Sequence, residues 1–235
     1  MASFFSFLRS SILSKVVMAA TGIILLLFLI GHMLGNMQMY LGPARMNAYA
    51  AMLQGLGGAL WIVRAVLFLS VVLHVITSIR LKLSNMAAKP SAYVRKKWVK
   101  ATLTSRTMFL TGSTIALFVT YHLLHFTFKA THPQYAGLRD TFGRMDVYAM
   151  VIAAYREPLI SLVYIAAMVL LGFHLNHATL SALQTLGVNH PKYNGFIEKL
   201  SITVSLLIVL GFISIPCGVF LEIIKPVQAT VAGGM

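Results

Sequence analysis

The chain has 235 residues, 58% of them hydrophobic and 10% charged, where a soluble domain carries roughly 25% charged residues to cover its surface. That balance excludes an ordinary soluble fold and points to lipid as the solvent. The formal net charge of +14 sits mostly in loops between apolar runs, as topogenic basic segments beside a bilayer do, and no stacking platform accompanies it, which argues against nucleic acid as a partner.

Residues 1 to 13 read as a short amphipathic segment at the membrane surface, with Phe4, Phe5, Phe7 and Leu8 as its apolar side. The apolar run from Val16 to Leu34 is longer than a signal-peptide core of ~7 to 15 residues, and no small-x-small site ends it, so it reads as an uncleaved first span. That span covers approximately 14–40. Tyr49, Met52 and Leu53 recur at helical spacing in the loop that follows, which predicts a short interfacial helix there.

The second span covers approximately 57–83. Next comes an acid-free stretch holding Arg80, Lys82, Lys89, Arg95, Lys96, Lys97, Lys100 and Arg106. The third span covers approximately 105–130 and is followed by a long mixed-charge loop with Asp140, Asp146 and Glu157 against Arg139, Arg144 and Arg156. Pro158 opens the fourth span, approximately 158–186, as a favoured first-turn residue. The turn GVNHPKYNG leads to the fifth, approximately 196–224, with Pro216 as an expected kink.

The expectation is an all-α membrane protein, one transmembrane domain over residues 1–235, with the first four spans bundled. Five spans put the termini on opposite sides. The side holding the N-terminus carries twelve Lys and Arg and the other seven, together with four of the five acids. By the positive-inside rule the N-terminus is cytoplasmic.

Four spans each carry a histidine at matched depth. His32, His74, His122 and His174 lie 17 residues after Lys15, Gly57, Ser105 and Glu157. Because alternate spans run in opposite directions, His32 and His122 share the outer level and His74 and His174 the cytoplasmic one. A neutral imidazole in a bilayer needs a partner, and four at paired depths predict two stacked haems, each with two axial imidazoles, irons ~15 to 20 Å apart. Cys217 is the only cysteine, so there is no C-x-x-C-H attachment, and any haem is held without a covalent bond.

An internal match supports the pairing. Thr21-Gly22 precedes His32 by 11 and 10 residues, and Thr111-Gly112 precedes His122 by the same amounts. Eleven residues at ~100° each return to nearly the same face, so Thr21 and Thr111 are expected at the level of the other haem, with Gly22 and Gly112 leaving room for the macrocycle.

His125 and His177, three residues after candidate ligands, are alternatives that depth alone does not exclude, while His132 and His190 precede prolines and read as solvated. Arg64, ten residues before His74, is placed to pair with an outer haem propionate or to snorkel to the interface; Arg106 and Lys15 are the corresponding candidates for the inner haem. The competing class is a haem-free proton- or metal-coupled transporter using intramembrane histidines. Such a protein would show acids or broken segments inside spans, and only Pro216 and Glu222 come close.

The stretches FLIGHMLGN, SRTMFLTG followed by YHLLH, and FHLNHATLSALQTLGVNHPKYN resemble the cytochrome b anchor subunit of type-B succinate:quinone oxidoreductases, the succinate dehydrogenases and fumarate reductases. The resemblance implies axial ligation by His32, His74, His122 and His174 of two haem b groups. It also implies a flavoprotein and an iron-sulfur subunit docked on the cytoplasmic face of a bacterial inner membrane, and electron exchange with a quinone, usually menaquinone. Succinate or fumarate chemistry would then belong to the flavoprotein, and the heterotrimer itself could form a dimer. The basic stretch from Arg80 to Arg106 would sit under those partners. Two positions depart from fumarate reductases of this type: Gly172 stands where they have a glutamate, and residues 41–56 contain no acid. Asn36, Arg45 and Tyr49 are the polar groups nominated beside the outer haem for a quinone.

Overall fold

A computed structural model of the chain describes residues 10–88 and 102–226. Of the surface segment expected at residues 1–13, residues 1–9 lie outside the described residues, as do the basic positions Lys89, Arg95, Lys96, Lys97 and Lys100, while Ser11, Ile12 and Leu13 instead open the first helix. Among the described residues seven α-helices follow in order: α1 Ser11–Asn36, α2 Pro43–Gln54, α3 Gly58–Ala87, α4 Leu103–His122, α5 Val147–Tyr155, α6 Pro158–Thr185 and α7 Pro191–Phe220. Five of the helical segments are long and apolar enough to cross a membrane: Ser11–Leu41, Gly58–Ala87, Leu103–Thr127, Pro158–Thr185 and Pro191–Phe220. The chain is an all-α, multi-pass membrane protein.

Helix ends follow local chemistry. Ser10 caps α1 by accepting from Leu13 N at 3.1 Å, and Thr102 caps α4 by accepting from Ser105 N at 3.2 Å. α1 tightens into a 3-10 turn, Met37–Leu41, before Gly42, whose φ of 86° lies in the left-handed region and lets the chain turn into α2. The fifth span starts earlier than its apolar pattern, at Pro191 instead of 196, because proline suits the first helical position and His190 Nδ1 accepts from Lys192 N at 3.2 Å. α7 then runs through Pro216 as one helix.

Around the bundle, α1 packs on α3 and on α6, and α4 packs on α6, with a lighter contact between α3 and α4; α7 lies outside this ring against α6 and α1. The α6–α7 seam holds the core formed by Ala167, Met168, Leu171, Leu175, Ile208 and Val209. Gly172 is part of that close approach. A Cβ there would stand 2.9 Å from Val209 Cγ2, so any larger side chain, glutamate included, obliges the Val209 side chain to shift.

The long mixed-charge loop is more ordered than its composition predicts. Pro133–Gly137 forms a 3-10 turn, Arg139 and Met145 make a β-bridge, and the apolar run VYAMVIAAY folds as α5 with Asp146 as its cap. Within the bridge, burial alone would raise the Asp140 carboxyl, but hydrogen bonds from Arg144 and Phe142 and the Arg144 charge at 2.7 Å hold it below the usual carboxylate range. α5 buries Tyr148, Val151 and Ile152 against Met39, Met46, Ile215 and Val219, closing the far end of the bundle.

Asn47 ties α2 to this lid. It is 1% exposed, donates to Asp146 Oδ1 at 2.9 Å and accepts from Tyr148 N at 3.0 Å. Replacing Asn47 with alanine orphans the Tyr148 N–H in a dry interior. The expected cost is about 1 to 3 kcal/mol, seen as a lower unfolding temperature in detergent; an unchanged transition would show that α2 and α5 are not coupled through this side chain.

Candidate functional site

Two imidazole pairs meet across the diagonals of the four-helix ring. His32 of α1 faces His122 of α4 with ring centroids 5.9 Å apart. His74 of α3 faces His174 of α6 at 6.4 Å. Thr21, eleven residues before His32 on the same helix, touches His74. At 1.5 Å per residue the two pairs lie about 16 Å apart along the bundle axis.

At the end where α1 and α4 start, the Thr-Gly pairs hold the histidines. Thr21 Oγ1 donates to Val17 O at 2.8 Å, and Thr111 Oγ1 to Thr107 O at 3.1 Å. With its only proton committed to the backbone, each hydroxyl is left to accept, from His74 Nδ1 at 3.1 Å and from His174 Nδ1 at 3.3 Å. That assigns the Nδ1–H tautomer to both rings and leaves each Nε2 with a free lone pair, the form that binds a metal. Gly22 and Gly112 complete the cradle. A Cβ at Gly22 would meet His74 Cε1 at 3.4 Å and one at Gly112 would meet His174 Cε1 at 3.2 Å. The small residues thus leave room for the imidazole edges.

The far pair has different supports. Phe28 stacks on His32 with centroids 5.3 Å apart, and Phe118 lies 6.0 Å from His122. His122 Nδ1 is 3.4 Å from the Tyr164 hydroxyl on α6. Asn36 Nδ2 donates to His32 O at 2.7 Å and stands 3.4 Å from His32 Nε2, so Asn36 belongs to the histidine's surroundings. His125 turns away from the diagonal: it is fully buried among Tyr121, Phe126, His132 and Tyr135 and shares the Tyr164 hydroxyl at 2.9 Å. A π-helical turn over Leu123–Thr127 sets this orientation.

The spacing and the donor set fit a haem at each level. With a metal–imidazole bond of about 2.0 Å, and a ring centroid about 1.15 Å beyond each bonding nitrogen, two axial imidazoles place their centroids about 6.3 Å apart. The observed 5.9 and 6.4 Å bracket that figure. Among the described residues no three His, Cys, Asp or Glu side chains converge to hold a bare ion. Two imidazoles would supply two of the six positions of a haem iron, and the porphyrin nitrogens would supply the other four.

Other predicted site residues separate. Arg64 is exposed, its guanidinium 4.9 Å over the Trp61 ring, as a side chain reaching for the interface would be. Lys15 and Arg106 are exposed near the starts of α1 and α4. Arg45 is exposed in the first turns of α2, while Tyr49 packs its ring and hydroxyl into the space left at Gly35, one residue before Asn36. Phe28 and Phe118 were not singled out, although the pattern T-G-x5-F-x3-H repeats across α1 and α4 with every member displaced by 90 residues. Tyr164 carries no comparable sequence signal. Comparison of the chain with protein-family models, curated proteins and solved structures finds no match.

Proposed function

We propose that the protein is a membrane electron conductor holding two b-type haems, His74 and His174 binding one iron and His32 and His122 the other. The observation that carries this reading is the pair of diagonal imidazole couples at axial-ligand spacing, with a threonine hydroxyl against Nδ1 of each near-end ring. When bound, each haem supplies an iron that accepts and releases one electron at a time. The chain's own residues hold the imidazoles, fix their tautomers and keep the two levels about 16 Å apart, a separation suited to transfer across an apolar core of ~30 Å.

By its resemblance to type-B anchors, the chain would take electrons from, or give them to, a flavoprotein and an iron-sulfur subunit on the cytoplasmic face of a bacterial inner membrane. Its redox partner in the bilayer would be a quinone, menaquinone in this reading, and its place the respiratory chain beside the tricarboxylic acid cycle. The N-terminus is cytoplasmic in this arrangement, as the distribution of Lys and Arg requires.

A pyridine haemochrome assay on the purified, detergent-solubilised chain tests the proposal. Two protohaem per chain are expected. A preparation that is folded, judged by a cooperative thermal transition, but contains no haem would favour a transporter that uses intramembrane histidines directly.

A further inference from the structure

His125 is the most fully buried titratable side chain outside the two diagonal pairs, at 0% exposure, and its Nε2 has no hydrogen-bond partner among the described residues. Buried polar atoms are nearly always paired, so an orphan asks for a reason. Its other nitrogen supplies one. Tyr164 has a single hydroxyl between two imidazoles, His125 Nδ1 at 2.9 Å and His122 Nδ1 at 3.4 Å, and one proton to give.

Only two arrangements satisfy that hydroxyl. In the first, His122 Nδ1–H donates to the tyrosine oxygen, the tyrosine proton goes to His125 Nδ1, and His125 carries its own proton on Nε2. In the second, every proton is reversed, and His122 carries its proton on Nε2, where it blocks ligation toward His32. The first leaves an N–H as the orphan, the second a lone pair. His125 is enclosed by the rings of Tyr121, Phe126, His132 and Tyr135. Only the first leaves His122 Nε2 free, and it requires His125 Nδ1 as the acceptor of the tyrosine proton.

We propose that His125 is a positioning residue that acts through Tyr164 to hold His122 in its ligating tautomer, and that this relay makes the far-end haem electronically distinct from the near-end one. The proposal rests on the di-haem reading. At the near end the Nδ1 protons go to threonine hydroxyls that end on backbone carbonyls. At the far end the relay ends on a second buried imidazole. An acceptor on Nδ1–H makes a ligating imidazole a stronger donor and favours the oxidised iron.

The test uses Tyr164→Phe, His125→Phe and His125→Asn in the full chain, with protohaem content, a spectroscopic redox titration and the low-spin ferric spectrum as readouts. Tyr164→Phe, which removes the acceptor, is expected to raise the far-end midpoint by roughly a tenfold change in the reduction constant, about 59 mV for one electron; His125→Phe, which leaves the tyrosine oxygen in place without its own acceptor, is expected to raise it by less, and both to leave the near-end midpoint in place. Asparagine at 125 puts an amide oxygen where Nδ1 accepts and is expected to restore the original value. Two haems with both midpoints unchanged in Tyr164→Phe, or an asparagine variant indistinguishable from His125→Phe, would overturn the relay. If His125→Phe fails to fold, Tyr164→Phe, which removes a single hydroxyl, decides alone. A wild-type chain without haem would strike the di-haem reading instead, so the two failures are distinguishable.

Discussion

Alanine in place of His74 or of His174 is expected, on the di-haem reading proposed above, to remove the same haem and leave the other, lowering the protohaem content from two per chain to one. Alanine at His32 or His122 removes the second. The expectation follows from the diagonals: each ring has one facing ring, on the helix opposite. A single remaining imidazole would give up one of the two axial bonds holding the haem at that level, whereas the other level, about 16 Å away, would keep both ligands. A redox titration of each variant identifies the surviving centre by its midpoint. Loss of different haems in His74→Ala and His174→Ala would overturn the pairing of α3 with α6. The chemical identity of the lost ligand can be checked further: external imidazole is expected to refill the gap in His74→Gly, where the backbone helix remains and only the ring is missing.

The helices and the level of each histidine were legible because both depend on spacing along one helix. Apolar runs of bilayer length mark the spans, and eleven residues between Thr21 and His32, or Thr111 and His122, bring both members of each pair to one face. The contacts Thr21–His74 and Thr111–His174 were not legible in that form. The pattern placed the threonines at the right height, but which neighbour they touch depends on helix order around the ring, a long-range property. For the same reason nothing in the sequence marked Tyr164, whose hydroxyl matters only because a π-helical turn swings His125 toward it. Helix α5 escaped notice for a different reason. Its nine residues are too short to span a bilayer and nearly all apolar, so periodicity cannot distinguish it from loop. Arg64 shows the limit of a depth argument: ten residues before His74 fixes its height, yet its side chain lies exposed over Trp61.

The Thr-Gly cradle makes the sharpest separation between a ligand site and ordinary packing. Thr21→Val keeps the shape of the side chain and removes the acceptor for His74 Nδ1, and Thr111→Val does the same for His174. Two outcomes are open to an imidazole so abandoned. It keeps its buried N–H unpaired at a cost of about 1 to 3 kcal/mol, or it flips tautomer and moves its proton to Nε2, where it blocks the metal. Either way the near-end haem is expected to bind about 10- to 100-fold more weakly, while Thr21→Ser, which retains the hydroxyl, binds normally. Were the threonines only packing residues, valine and serine variants would retain haem equally.

The glycines add a second, graded arm to the same experiment. Alanine at Gly22 meets His74 Cε1 at an ordinary contact distance of 3.4 Å and should be tolerated, whereas at Gly112 the 3.2 Å approach obliges the His174 ring to give by a few tenths of an ångström. Valine at either position drives a branched side chain into the ring and is expected to eject the near-end haem. Retention of both haems in Gly112→Val would mean that the His174 ring is not held where the structure has it, and the tautomer argument for that level would fall with it.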